Sequence, residues 1–332
     1  MRLFDRLLLA ATILAFCVVV LGAFVRLSGA GLGCPDWPGC YGQLTAPQTP
    51  AALHQAAMAF PEKPVESPKA WKEMLHRYLA GTLGLLILGI FITAWQNRAR
   101  ISPWLPSALL ALVIFQALLG MWTVTLLLKP VIVSAHLLGG MTTLGLLTWL
   151  THRRWGTLPS VYATNYNHLQ FWARLGLLVI AAQIFLGGWT SSNYAALACI
   201  DFPQCQGAWW PAMDFAHAFH MIRELGMTAD GAPLSLPALA AIQWSHRLGA
   251  LVSLIYLGAL ALHILRQDGI AIWGRLLAFC LVLQLAIGIA NVILGLPLLL
   301  AVAHNAGAAS LLISLVLLNS KLTRKTESGA YQ

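Results

Sequence analysis

The chain has 332 residues, of which 59% are hydrophobic and 9% charged, with a mean hydropathy of +0.74. That composition excludes an ordinary soluble globule and places the chain in a bilayer. The formal charge of +9 has no soluble basic face to occupy, which excludes nucleic-acid binding and leaves the basic residues as a topology signal.

Crossing about 30 Å of hydrocarbon takes roughly 20 apolar residues in a helix. Runs of that length lie at about 7 to 28, 72 to 95, 104 to 128 and 131 to 151, and again at about 169 to 192, 240 to 265, 272 to 294 and 297 to 319. The first run follows Arg2 and Arg6, the pattern of a signal peptide. Its apolar core is longer than an h-region and its counterpart in the second half is internal, so a retained first helix is expected. Eight spans put both termini on one side. Arg2, Arg6, Arg98, Arg100, Arg153, Arg154, Arg266, Arg275, Lys321, Arg324 and Lys325 all fall on that side, which makes it cytoplasmic.

The opposite side carries two long loops, about 29 to 70 and 193 to 239, and two short ones near Lys129-Pro130 and Leu296-Pro297. Cys34-Pro-Asp-Trp-Pro-Gly-Cys40 in the first long loop returns about 165 residues later as Cys199-Ile-Asp-Phe-Pro-Gln-Cys205. In an oxidising outer compartment each pair can close a small disulfide loop. Cys17 and Cys280 fall inside helices and read as core residues. Two segments, around His54 and from Phe215 through His217 and His220, look like short amphipathic helices on the membrane surface. Their histidines could instead bind a metal or line an entrance, but no spacing demands it.

The same repeat carries His76-Arg77 onto His246-Arg247, Gln116-x-x-x-Gly120 onto Gln284-x-x-x-Gly288, and His136 onto His304. The fold expected is therefore an all-α integral membrane protein, with eight transmembrane helices as two tandem four-helix bundles related by a pseudo-two-fold axis along the membrane normal. Its units are residues 1–152 and 165–320, followed by a cytoplasmic tail, 321–332.

His76, His136, His246 and His304 each lie about five to seven residues into a helix, roughly 8 to 10 Å below the outer boundary. Polar ligands at that depth mark a site. Two facing imidazoles per half suit the axial positions of a haem, whereas zinc would ask for three or four ligands. His152, His168 and His263 lie near the inner surface, where solvation is easy, and read as non-ligands. Arg77 and Arg247 could pair with haem propionates or snorkel to headgroups. Gly81, Gly84, Gly139, Gly140, Gly249 and Gly307 allow close approach of a macrocycle or simply of another helix, and Gln116 and Gln284 each need a partner in hydrocarbon.

The halves differ at one telling position. Three residues before His76 stands Glu73, whereas three before His246 stands Gln243. An i, i+3 pair shares a helix face, so Glu73 would sit beside its histidine as a carboxylate without a counterpart. It could act as a base or stabilise developing positive charge; alternatively it is an interfacial residue ion-paired beside Lys72. The first half then reads as reactive and the second as supportive.

Taken together, Gly22-Ala-Phe-Val-Arg26-Leu-Ser-Gly-Ala-Gly-Leu-Gly-Cys34-Pro-Asp-Trp-Pro-Gly-Cys40, Glu73-x-x-His76-Arg77, His136, His246-Arg247 and His304 resemble the heme A synthase family over nearly the whole chain. That resemblance implies oxidation of the methyl group of heme O to a formyl group by successive hydroxylations, giving heme A for terminal oxidases. It implies that His76 and His136 flank the substrate haem, that His246 and His304 ligate heme B as cofactor, and that Glu73 is the functional carboxylate. Cys34 with Cys40, and Cys199 with Cys205, match its outer-loop pairs. It further implies a cell (inner) membrane location, with the cysteine loops outside, and a heme O synthase as the source of substrate. The removal of four electrons needs a membrane electron partner that the sequence does not name, and a homo-oligomer is left open. The rival readings are a di-haem b-type cytochrome that only transfers electrons, which leaves Glu73 unexplained, and a haem delivery factor, which would use one histidine pair as a transit site and make no new chemical species.

Overall fold

The computed structural model describes residues 3–155, 167–267 and 269–322. In chain order its helices are α1 (Leu3–Leu27), α2 (Pro50–Ala59), α3 (Ser67–Gln96), α4 (Trp104–Thr125), α5 (Pro130–Trp155), α6 (Asn167–Ser192), α7 (Phe215–Ala218), α8 (Leu236–Leu265), α9 (Ala271–Ile293) and α10 (Leu298–Leu322). Among the described residues, all but α2 and α7 are long and apolar enough to cross a membrane, which gives eight spans. The tail expected at 321–332 lies outside the described residues beyond Leu322, as do Arg2, Arg324 and Lys325.

Local chemistry sets the helix ends. Thr49 caps α2 by accepting from Ala52 N, with Pro50 in the first turn, and Ser235 caps α8 by accepting from Ala238 N. The short connections at the disulfide-bearing end reverse direction through left-handed residues. Leu127 and Leu128 (φ 50° and 58°) do so between α4 and α5, and Gly295 and Leu296 (φ 67° and 63°) between α9 and α10.

In the first half α1 packs on α3 and α5, α3 on α4, and α4 on α5. In the second half α6 packs on α8 and α10, α8 on α9, and α9 on α10. Between the halves α10 meets α1 and α5, and α5 meets α6. One apolar core runs through all of this, with Leu8, Ile87, Leu144, Leu257 and Leu315 fully buried. Polar links also cross between halves at the disulfide-bearing end. Arg26 donates to Tyr194 Oη (2.8 Å) and to the carbonyls of Ser191 (3.1 Å) and Ser192 (3.4 Å), and Lys129 pairs with Glu224 at 2.8 Å.

The expected second amphipathic helix stops at Ala218. Buried Arg223 takes Ala218 O, a carbonyl that a longer helix would have used, and also donates to His220 O, Met227 O and Asn193 Oδ1, the last at 2.8 Å. The α2 segment does form over the expected residues. Its buried Ala56 joins a cluster with Cys34, Cys40, Tyr41, Ala70 and Met74, so α2 covers the first disulfide loop.

Candidate functional site

Each long loop is built around its cysteine pair. Cys34–Cys40 and Cys199–Cys205 are disulfides with Cα separations of 4.8 and 4.7 Å, ordinary spacings for such a bond. Inside each loop an aspartate accepts two main-chain N–H groups. Asp36 takes those of Tyr41 (2.6 Å) and Gly42 (2.7 Å), and Asp201 takes those of Gln206 (2.7 Å) and Gly207 (2.8 Å). Tyr41-Gly42 and Gln206-Gly207 are both left-handed pairs, with φ of 54° to 72°, which is the primed turn that closes Cys40 onto Gln43 and Cys205 onto Ala208.

An arginine bolts each loop to the helix below. Arg77 on α3 donates to the carbonyls of Asp36 (2.9 Å), Pro38 (3.3 Å) and Gly39. Arg247 on α8 donates to those of Gln204 (2.6 Å) and Cys199 (2.8 Å). Neither guanidinium therefore snorkels freely; both are committed to loop carbonyls.

Below the arginines lie the histidines, each docked edge-on against a glycine of the neighbouring helix. A Cβ built on Gly22 (α1) would meet Cε1 of His76 (α3) at 2.9 Å, and one on Gly120 (α4) would meet that of His136 (α5) at 3.5 Å. The second half repeats this with Gly187 (α6) against His246 (α8) at 3.1 Å, and Gly288 (α9) against His304 (α10) at 3.0 Å. The rings of His246 and His304 stand 6.4 Å apart, centroid to centroid, with planes at 87°. That spacing matches about 6 Å, two metal–imidazole bonds of about 2 Å plus the ring radii. Nδ1 of His76, His136 and His304 is buried without a partner although each residue is partly exposed. The donor set and the glycine cradles of both pairs, and the ring spacing of the second, thus fit residues that would hold a haem through imidazole nitrogens.

Glutamines add a second layer. Gln116 donates to His136 O (3.0 Å), Gln183 lies 3.1 Å from both Nδ1 and the main-chain O of His246, and Gln284 lies 3.4 Å from Nε2 of His304. Gln116 and Gln284 were legible from the repeat. Gln183 was not, because Val18 occupies its repeat position.

Glu73 is 4% exposed and does not pair with Lys72, which lies 5.2 Å from the Phe24 ring centroid. One carboxylate oxygen accepts from Cys34 N (3.0 Å) and the other pairs with Arg77. The carboxylate therefore joins the disulfide loop to the helix turn that carries His76. Gln243 is equally buried, but its Oε1 has no partner.

The remaining histidines fall elsewhere. His152 contacts Ser320 Oγ (2.9 Å) and Trp273, His168 contacts Trp172, and His217 pairs with Asp214 (2.6 Å). His54 is exposed, and no cluster of three or more His, Cys, Asp or Glu suited to a metal ion occurs among the described residues.

The family model described as cytochrome oxidase assembly protein, COX15-CtaA, matches residues 5–316. The chain belongs to that family. A relative named heme A synthase from Shewanella oneidensis is 41% identical over 322 residues, covering 97% of both chains. Heme A synthases from Bacillus licheniformis (28% identical, 88% of this chain and 87% of the relative) and Rhizorhabdus wittichii (27%, 93% and 91%) are similar over most of their length. Family membership covers both halves, so the loops, arginines and histidines described above all lie within the matched region.

Proposed function

We propose that the chain is a heme A synthase, an oxidoreductase of the membrane that converts the methyl group of heme O into the formyl group of heme A by successive hydroxylation. The observation that carries this reading is the glycine-docked histidine set, repeated in both halves, with a carboxylate beside only one of them. In this reading residues 1–152 hold substrate heme O between His76 and His136, and residues 165–320 hold heme B between His246 and His304. Heme B, when bound, supplies one-electron redox capacity.

The protein residues then divide the work. Glycines 22, 120, 187 and 288 let each imidazole lie against a neighbouring backbone, which fixes the depth of the slot. Glu73 is one helical turn before His76, with its charge held in place by Arg77 and the Cys34 N–H. From there it can accept a proton or stabilise positive charge developing at the oxidised carbon. The oxidation removes four electrons, so an electron partner in the membrane belongs to the reading, as does a heme O synthase supplying the substrate. The basic residues at the end opposite the disulfides favour cytoplasmic termini and outward-facing cysteine loops.

The test is co-expression with a heme O source in cells that lack heme A, followed by haem extraction and chromatography with mass detection. Heme A or its hydroxylated intermediate should appear only with the intact chain. Unchanged heme O and only heme B, from well-folded protein, would leave a di-haem electron-transfer cytochrome as the better account.

A further inference from the structure

The four histidine sites are copies of one interlocking unit, and one copy is incomplete. In three of them a Gln-x-x-x-Gly segment faces a His-x-x-Gly segment on the next helix. These are Gln116/Gly120 with His136/Gly139, Gln183/Gly187 with His246/Gly249, and Gln284/Gly288 with His304/Gly307. The first glycine receives the imidazole and the second receives the glutamine amide. A Cβ on Gly139 would meet Gln116 Nε2, one on Gly249 would meet Gln183 Oε1, and one on Gly307 would meet Gln284 Oε1, all far inside contact distance. The glutamine needs the glycine, and the two together tie the histidine to its neighbouring helix.

At His76 both members of the tie are missing. The unit reads Val18-x-x-x-Gly22 against His76-x-x-Leu79. Gly22 still receives the ring, but valine stands at the amide's position and leucine at the position of the second glycine. Nδ1 of His76 is buried with no partner, as it is in His136 and His304, but an amide reaches the ring or main-chain carbonyl of the other three histidines and none reaches either at His76. A metal-bound histidine is normally fixed by what its outer atoms touch; three of these four are fixed by a buried amide and one is not. The untied histidine is also the one whose helix carries Glu73 a turn away.

We infer that His76 is the releasable ligand of the four, so that the first-half haem is exchanged, and a coordination position opened, on the His76 side while His136, His246 and His304 stay in place. This rests on the haem-site reading above. It gives the absence of Gln and Gly at positions 18 and 79 a purpose: a substrate has to enter and product has to leave, whereas a resident cofactor does not.

Carbon monoxide tests it, since it binds ferrous haem only where an axial ligand gives way. In the detergent-solubilised full chain loaded with heme O, the first-half haem should bind carbon monoxide and the second-half haem should not. Val18→Gln combined with Leu79→Gly installs the missing tie and should weaken carbon monoxide binding about 10- to 100-fold at unchanged haem content. Val18→Gln alone, with no seat for the amide, should not. The reciprocal change, Gln183→Val, should let the second-half haem bind carbon monoxide, and it carries the test should the double variant not fold. A first-half haem that refuses carbon monoxide in the unaltered chain, or an affinity indifferent to the double variant and a second half indifferent to Gln183→Val, overturns the inference. If His76→Ala and His136→Ala leave haem content and spectrum untouched, the haem-site reading itself fails, a result distinct from either.

Discussion

The two halves share a scaffold to the level of individual hydrogen bonds and part company at a handful of side chains. Both loops close on an aspartate that accepts two consecutive N–H groups, both are bolted down by an arginine, and both histidine pairs dock on glycine. Against this background Glu73 faces Gln243, Val18 faces Gln183, and Leu79 faces Gly249. A repeat in which structure is kept and a few buried groups are changed locates function by difference: the first half keeps a buried charge and loses an amide, and the second does the opposite.

The largest effect should come from removing the charge. Glu73→Gln copies the second half at this position, and it should lower heme A formation about 100-fold or more, read by haem chromatography, while haem binding persists. If activity survives, the difference between the halves is not chemical. Next comes the arginine. Arg77→Ala strands a buried carboxylate, which costs about 3 kcal/mol or more, whereas Arg247→Ala strands only carbonyls and should cost about 1 to 3 kcal/mol. Thermal unfolding of the two variants in one detergent should rank them in that order, and adding Glu73→Gln should offset part of the Arg77→Ala loss.

Why some of this could be read from sequence and some could not follows from the kind of signal each feature leaves. Spans announce themselves by length and hydropathy: α9 falls within a residue of expectation at both ends, closed by the Gly295 turn, whereas α3 begins five residues before its expected start, at Ser67 with Pro68 in the first turn, because its polar opening turns carry no hydropathy signal. His136 and His304 stood out because the repeat duplicated them. Arg77 and Arg247 were visible as residues, but their commitment to loop carbonyls depends on how the cysteine loop folds back over the helix. Gln183 has no duplicate, so a search for matched residues passes over it. The truncation of α7 was illegible for a similar reason: it depends on Arg223 turning inward from five residues beyond the helix end and meeting Asn193 from another segment.

The disulfides should matter less than Arg77 and about as much as Arg247. Opening a six-residue separation by replacing both cysteines with serine removes about 2 kcal/mol of chain-entropy stabilisation. The expected difference between halves is functional. In the first half the Cys34 N–H loses its fixed position against Glu73, so activity should fall with stability. In the second, Gln243 stands in the place of Glu73 and no helix carboxylate is held by a loop N–H, so stability should fall alone.

The smallest effect concerns Asp201. Hydrogen bonds from the main chain, led by Gly207, hold its carboxyl below the usual range for an aspartate. A depressed folded-state value means that its contribution is complete above the unfolded value and is lost as pH falls through the folded one. Amide exchange at Gln206 and Gly207 should therefore keep its protection from neutral pH down into the ordinary aspartate range and lose it only below. Asp201→Asn should remove the pH dependence while leaving most of the turn in place, because the left-handed Gln206-Gly207 pair and the disulfide still close it. Loss of protection already at mildly acidic pH would mean that the aspartate is not what holds the turn, and that the likeness of the two loops lies in their disulfides alone.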